Sequence, residues 1–161
     1  MKKLKVYLDT SVINFIYAND APDFRNITIT FFNEYINDFQ TFISEIVLLE
    51  IQKTKDHEKR NQLLNVIKDY PINLLEINNN EEIKMLADMY IKEKIIPEKK
   101  YEDALHIAIA SFYEIDILLS WNFKHLANIK KQIAINATNE KQGYLKKINL
   151  VSPLEVIYER E

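Results

Sequence analysis

Three acidic residues and one amide stand at points of the sequence where a parallel sheet would gather them. Asp9 directly follows a short apolar segment, Glu50 lies two turns into a predicted helix, and Asp103 lies in the first turn of another. Asn122 comes a few residues after a further apolar segment. Carboxylates brought close together repel one another, and burying an unpaired carboxylate costs free energy or shifts its pKa. A divalent cation removes that conflict.

The chemistry that such a cation supports is hydrolysis of phosphodiester bonds. Mg²⁺ and Mn²⁺ prefer oxygen ligands, and Mg²⁺ keeps several waters when a protein binds it. An ion held by carboxylates can generate a hydroxide nucleophile from water, neutralise a phosphate and stabilise the leaving oxygen. The acids therefore indicate a metal-dependent hydrolase.

Each of these residues, taken singly, also has a purely structural explanation. Asp9 can cap the helix that follows it, and Glu50 can be a solvated helix acid. Asp103 can stabilise the helix macrodipole, and Asn122 can be a turn or cap residue. The metal-site hypothesis rests on their joint placement.

Composition excludes several other kinds of site. The chain has no cysteine, which excludes disulfides, thiolate catalysis, zinc–cysteine sites and iron–sulfur clusters. Its one glycine, Gly143, excludes the glycine-rich loops that bind phosphates and dinucleotides. A net charge of −3 argues against strong non-specific affinity for nucleic acid. No apolar run approaches the roughly 18 residues of a membrane span, and we expect a cytoplasmic protein without membrane contact.

Apolar patterning predicts an alternation of strands and helices. The predicted strands are Lys5–Leu8, Thr41–Ile43, Asn73–Ile77, Ile117–Leu119 and Ile148–Val151. The predicted helices are Val12–Tyr17 with Ser11 as its cap, Asn26–Asp38, one beginning after the cap Ser44, Glu58–Lys68, Glu81–Lys94, Tyr101–Tyr113, and Ile129–Gln142 closed by Gly143. This order predicts an α/β domain with a mostly parallel sheet and helices on both faces. Ligands of such sheets bind at the carboxyl ends of the strands.

Four segments that carry these polar residues resemble the motifs of the PIN-domain family, especially its VapC-type toxins. Val6–Ile13 (VYLDTSVI) is similar to the opening strand and first acid, and Ile43–Ile51 (ISEIVLLEI) to the second element. In that second segment the acid comes six positions after the serine, which selects Glu50 over Glu45. Tyr101–Ala108 (YEDALHIA) resembles the third motif with Asp103 as its acid, and Ile117–Leu126 (ILLSWNFKHL) resembles the fourth. The resemblance covers nearly the whole chain.

The resemblance implies a three-layer α/β/α sandwich with about five strands, a single nuclease domain over residues 1–161, and Mg²⁺- or Mn²⁺-dependent cleavage of RNA. It implies that Asp9, Glu50 and Asp103 are the metal ligands and that Asn122 joins them in catalysis. Asn122 stands where many members have a fourth Asp, and this departure favours one well-held ion, or a second ion brought by the substrate. Members are usually homodimers, and the toxins are blocked by a cognate antitoxin protein.

Further polar residues surround the four motifs. Thr10 and Ser120 are hydroxyls beside the acids and are candidates for supporting the ligands or contacting phosphate. His106 lies one turn from Asp103 on a similar helix face, and we expect it to pack in the core or to support the ligands in preference to ligating metal. The lysines 53, 55, 59, 99, 100 and 124, with Arg60, are either solvated or hold RNA phosphates.

Three other readings compete with a nuclease. A haloacid-dehalogenase-like phosphatase needs a second Asp two residues after the first, where this chain has Ser11. A receiver domain needs acids just before Asp9 and a lysine after the last strand, and neither is evident. The third alternative is a catalytically weak module of the same fold that binds RNA or protein, for which Asn122 is the one indication.

Overall fold

The computed structural model describes residues 2–158, and its centre is a five-stranded sheet. The strands are β1 (Lys5–Leu8), β2 (Gln40–Ser44), β3 (Ile72–Leu75), β4 (Ile117–Leu119) and β5 (Asn149–Val151). Their order across the sheet is β3-β2-β1-β4-β5, and all four neighbouring pairs are parallel. The predicted parallel sheet is therefore confirmed, and β1 lies at its centre.

Seven α-helices accompany the sheet in the described part of the chain. They are α1 (Thr10–Asn14), α2 (Pro22–Thr30), α3 (Glu45–Gln52), α4 (His57–Asp69), α5 (Glu81–Lys92), α6 (Tyr101–Phe112) and α7 (Ile129–Lys141). Because strand and helix alternate, each parallel strand is reached through a crossover segment that covers one face of the sheet.

The two faces of β1 lie in two separate apolar cores. Val6 and Leu8 pack with α1, α3 and α4, whereas Tyr7 packs with α5, α6 and α7. All three side chains are fully buried, as expected for a strand whose successive residues point to opposite, covered faces. The predicted α/β/α sandwich of three layers is therefore confirmed.

The start of the first helix differs from the prediction. Ser11 was expected to cap it, but Asp9 is the cap: its Oδ1 atom accepts a hydrogen bond from the Val12 backbone N–H at 3.3 Å. The helix begins directly after the strand, at Thr10, so the last non-helical residue is Asp9 and not Ser11. An extended backbone at the cap position leaves its carboxylate free to bind the helix N-terminus.

The second helix also begins earlier than predicted, at Pro22 and not at Asn26. Proline is favoured in the first turn of a helix, because its φ is already helical and the missing N–H would have no partner there. The segment continues through a π turn at Phe31–Tyr35 and a 3₁₀ turn at Ile36–Asp38. Gly143 follows α7 with φ +89°, which agrees with its predicted role in closing that helix.

Within residues 2–158, no helix is both long and apolar enough to span a membrane. That one domain extends over residues 1–161 stays a prediction, and Met1 and residues 159–161 lie outside the described residues.

Candidate functional site

Several predicted site residues lie at the carboxyl edge of the three central strands. Asp9 directly follows β1, and Ser120 directly follows β4. Ser44 ends β2 and caps α3, since its Oγ accepts a hydrogen bond from Ile46 N–H at 3.2 Å. Because β1 lies between β2 and β4, these three strand ends are neighbours in space.

Asp9 is the most deeply buried of the acids, with 4% of its surface exposed. Its Oδ1 accepts hydrogen bonds from Ser11 Oγ at 2.6 Å and Val12 N–H, and its Oδ2 accepts one from Ser120 Oγ at 2.5 Å. Burial raises the pKa of Asp9, and the charge of His106 and these hydrogen bonds only partly oppose that rise. The carboxylate is thus held in one orientation in a setting that disfavours its negative charge.

Glu50 lies in α3 with its carboxylate at the edge of the same region. Its Oε1 is 2.9 Å from Nε2 of His106. Burial by itself raises the pKa of Glu50, but the hydrogen bond and charge of His106, together with Thr10 and Lys53, outweigh burial and lower it. The Thr10 hydroxyl is buried next to Glu50, yet it has no partner in good hydrogen-bond geometry among residues 2–158. Thr10 therefore supports Glu50 from within the buried part of the site.

His106 lies beneath the acids and connects them to the core. Its side chain is almost fully buried, and its Nδ1 is 2.6 Å from the Tyr7 hydroxyl, which is 2.7 Å from Ser44 Oγ. These contacts form a continuous chain from Ser44 through Tyr7 and His106 to Glu50. Burial lowers the pKa of His106, but Glu50, Asp9 and Asp103 hold it above its ordinary value.

Asp103 and Asn122 form the other side of the site. Asp103 lies in the first turn of α6, and its Oδ2 accepts a hydrogen bond from Asn122 Nδ2 at 3.2 Å. The Asn122 Oδ1 accepts from the backbone N–H groups of Lys124 and His125 at 3.1 and 3.0 Å, so the amide is fixed in orientation. Burial raises the pKa of Asp103, and the charge of Glu50 adds to that rise.

Hydrogen bonds connect Asp9 to Asp103: Ser120 Oγ donates to Asp9 and accepts from the Asn122 backbone N–H at 2.9 Å, and the Asn122 amide donates to Asp103. Glu50 contacts His106, which lies one helical turn from Asp103 on α6. Among the described residues, however, no three acidic or histidine side chains already stand close enough to share one ion. Mg²⁺ bound to protein often uses one or two carboxylates and several waters. The oxygen donors and the raised pKa values of Asp9 and Asp103 fit a hydrated ion of this kind. A closed cage of three direct carboxylate ligands does not fit the side chains as they stand.

Three residues of the site were not identified from the sequence. Tyr7 was placed in a strand, Ser44 was recognised only as a helix cap, and Ser11 was assigned to a cap that it does not form. Ser11 Oγ binds Asp9 and also accepts a hydrogen bond from the Trp121 backbone N–H at 2.9 Å, which joins the two strand ends. A tyrosine within an otherwise apolar central strand was the one available signal, since a buried hydroxyl needs a polar partner.

Comparisons with known proteins bear on the fold. No protein-family model matches the chain, and neither does any curated protein. Among solved structures, one chain of VapBC2 from Rickettsia felis, described as bound to a DNA fragment from their promoter, is similar to this chain at 15% sequence identity and a TM-score of 0.55. The match covers 92% of this chain and 98% of that chain. At that identity the likeness is one of fold, and the fold is PIN-like, as the four motifs predict.

Proposed function

We propose that this protein is a Mg²⁺- or Mn²⁺-dependent endoribonuclease that acts as the toxin of a toxin–antitoxin pair. The observation that carries the proposal is the hydrogen-bonded connection from Asp9 through Ser120 and Asn122 to Asp103 at the carboxyl edge of the sheet. Glu50 lies beside it, in contact with His106 one turn from Asp103. Without a cation, these carboxylates would repel a phosphodiester. The fold that the chain shares with a VapBC2 chain supports the toxin part of the proposal.

The chain's own residues have distinct roles in the proposed reaction. Asp9, Glu50 and Asp103 hold the ion, directly or through its waters. When bound, the ion neutralises the phosphate and lowers the pKa of water enough to make it a nucleophile. Ser11 and Ser120 fix Asp9 by hydrogen bonds to both of its oxygens.

The remaining polar groups position the other two acids. His106 holds Glu50, and Asn122 donates to Asp103 and so occupies the fourth acidic position without adding charge. Removing a residue that holds a metal ligand in this way usually lowers metal affinity or activity by about 10- to 100-fold. Thr10, whose hydroxyl is buried beside Glu50, is a candidate for supporting that ligand or contacting phosphate.

We propose two protein partners in addition to the RNA substrate. One is a cognate antitoxin protein that blocks the site, and the other is a second copy of the chain in a homodimer. The proposed setting is cytoplasmic.

The experiment compares wild-type protein with Asp103→Asn on single-stranded and structured RNAs, with Mg²⁺ or Mn²⁺ and then with EDTA. The matched control is Asp69→Asn, because Asp69 is an exposed aspartate at the end of α4, away from the site. We expect metal-dependent cleavage that falls by about 100-fold or more in Asp103→Asn and is unchanged in the control. Equal cleavage by wild type and Asp103→Asn would show that the activity is a contaminant.

The second candidate is a binding module with a weakened site. It is favoured by Asn122 in the fourth acidic position and by the absence, within residues 2–158, of three gathered ligands. RNA binding without cleavage under any metal condition would select this candidate.

A further inference from the structure

Beside the acids lies a cluster of four aromatic rings, which we name the aromatic shelf: Phe15, Phe24, Trp121 and Phe123. The Phe24 ring stacks on Trp121 with centroids 4.5 Å apart, and Phe123 meets Trp121 edge-on at 5.9 Å. Phe15 lies 5.8 Å from Trp121 and closes the group. A hydrogen bond of 2.8 Å from Trp121 Nε1 to Thr28 Oγ1 fixes the indole. The shelf is therefore a preformed, rigid surface.

The outer ring of the shelf faces solvent. Phe123 is 46% exposed, whereas Trp121 beneath it is 5% exposed. A single exposed apolar side chain is ordinary. Phe123 differs from that case, because its ring packs edge-on against Trp121 and lies 6.0 Å from the Phe24 ring, so its exposed aromatic surface is already held in place.

The shelf is attached directly to the acidic site. Trp121 and Phe123 flank Asn122, whose side chain binds Asp103, and the backbone N–H of Trp121 binds Ser11, the partner of Asp9. The segment that carries Phe123 is therefore fixed to Asp103 through Asn122 and to Ser11 through Trp121.

Positive charge also lies near the shelf. Lys124 directly follows Phe123 in the chain. Burial is the larger cause of the lowered pKa of His125, and four lysine charges add to it: Lys131, Lys124, Lys100 and Lys99. Lys100 also acts on Asp103. Aromatic faces for bases beside lysines for phosphates are the arrangement by which proteins bind single-stranded nucleic acid.

We propose that the aromatic shelf binds an unpaired nucleobase next to the scissile phosphate, with Phe123 as the stacking ring. This inference rests on the proposed function and names the side chain of this protein that would contact the base, the exposed ring of Phe123. A base within a duplex is already stacked and paired, so its face is not available to Phe123.

The chain carries a natural reporter for this contact, because Trp121 is its only tryptophan. The test titrates the non-cleaving Asp103→Asn protein, in Mg²⁺, with a short single-stranded RNA and with the perfect duplex of the same sequence. Trp121 emission and fluorescence anisotropy of labelled RNA are recorded together. We expect the single strand to change Trp121 emission and to bind more tightly than the duplex.

Variants at position 123, made in the Asp103→Asn protein, distinguish the effect of aromatic stacking from that of side-chain volume. Since one stacked base is worth about 1–3 kcal/mol, Phe123→Ala should weaken single-strand binding by about 5- to 100-fold. Phe123→Leu should weaken it similarly, whereas Phe123→Tyr keeps the ring and should restore it. Leu145→Ala is the matched control, because Leu145 is an exposed apolar residue beyond α7 and should have no effect. Thermal midpoints of the free variants verify folding.

Equal affinity of Phe123→Ala and its parent for the single strand would overturn the inference, and so would equal binding of duplex and single strand without a change in emission. The two proposals fail separately. If Phe123-dependent binding occurs but the wild type never cleaves RNA, the shelf stands and the nuclease is wrong. If the wild type and Phe123→Ala cleave single strands and duplexes alike, the nuclease stands and the shelf is wrong.

Discussion

His106 shows how one buried side chain organises the candidate site. Its two ring nitrogens face different partners, Glu50 on one side and Tyr7 on the other. In the neutral ring, Nε2–H can donate to Glu50 while Nδ1 accepts from the Tyr7 hydroxyl. In the charged ring both nitrogens donate, and Tyr7 can turn its own proton toward Ser44. Every polar atom of this chain therefore keeps a partner in either state.

The first prediction concerns the middle of that chain. Tyr7→Phe removes the partner of a buried imidazole nitrogen, and leaving such a group unsatisfied costs about 1–3 kcal/mol. We expect the free energy of unfolding, measured by urea denaturation at neutral pH, to fall by about that amount. Tyr144→Phe is the matched control, because the Tyr144 hydroxyl binds Glu82 at the surface and should cost less than about 0.5 kcal/mol. Equal losses in the two variants would contradict the role of Tyr7.

The acids and their supporting residues differ in how far the sequence predicts them. Asp9, Asp103 and Asn122 are tied to strand and helix ends, and parallel strands expose those ends at one edge, so pattern alone indicates their neighbourhood. The partners of Tyr7 depend instead on contacts 37 and 99 residues away in sequence. Strand periodicity predicts that Tyr7 is buried but carries no information about which polar group it meets.

At the scale of elements, a buried asparagine joins the three helices on one face of the sheet. Asn139 of α7 is fully buried, accepts a hydrogen bond of 2.5 Å from the Tyr90 hydroxyl of α5, and donates one of 2.9 Å to Ser111 Oγ of α6. The sequence predicts a helix over Ile129–Gln142, and α7 covers Ile129–Lys141. Its apolar periodicity carries no information on the contact of Asn139, because a polar residue enters a core only when its partners come from other elements.

We predict that Asn139→Ala destabilises the protein by about 2–3 kcal/mol, because it leaves the buried Tyr90 and Ser111 hydroxyls short of a partner and opens a cavity. Asn61→Ala is the matched control, since Asn61 is exposed within α4 and alanine has the higher helix propensity. Urea denaturation of both variants measures the difference. A loss below about 0.5 kcal/mol for Asn139→Ala would show that the three helices do not depend on this contact.

A second element-scale contact secures the opposite, amino-terminal edge of the sheet. Asp116, just before β4, accepts hydrogen bonds from the Lys5 backbone N–H and from Lys146 Nζ, both at 2.8 Å. Burial by itself would raise the pKa of Asp116, but these hydrogen bonds and the charges of Lys146 and Lys5 hold it below its ordinary value. The carboxylate thus ties β1 to β4 and to the segment that leads into β5.

This lowered pKa predicts a stability difference that depends on pH. A carboxyl whose folded pKa is depressed contributes stability above its unfolded pKa of about 4, and loses that contribution as the pH falls through the folded value. Asp116→Asn should therefore lower the free energy of unfolding by about 1 kcal/mol at pH 7, with a smaller difference near pH 2.5. Urea denaturation at both pH values measures it. If the difference in free energy of unfolding between the wild type and Asp116→Asn is the same at both pH values, the effect comes from the shape of the side chain and not from its charge.

At the scale of the whole molecule, two apolar cores support one polar edge. Each face of the sheet carries its own buried cluster, and the acids lie at the carboxyl edge of the sheet, at the end of β1 and on α3 and α6. Burial raises the pKa of both Asp9 and Asp103, so their negative charges oppose folding when no cation is bound. The stability contributed by the two apolar cores therefore offsets the destabilising site, as is common where function requires like charges to be close together.

That balance gives opposite predictions for the protein without and with metal. The folded pKa of Asp103 lies above its unfolded value, so ionising it at neutral pH reduces stability, and Asp103→Asn removes that cost. In EDTA we expect the variant to be as stable as the wild type or more stable, by up to about 1 kcal/mol.

In millimolar Mn²⁺ the thermal midpoint of the wild type should rise, because an ion that binds only the folded state stabilises it by mass action. Asp103→Asn should rise much less, and Asp69→Asn should rise as the wild type does. A variant that loses stability in EDTA would mean that the Asp103 charge supports the fold, and an equal response of all three proteins to Mn²⁺ would remove Asp103 from the metal site.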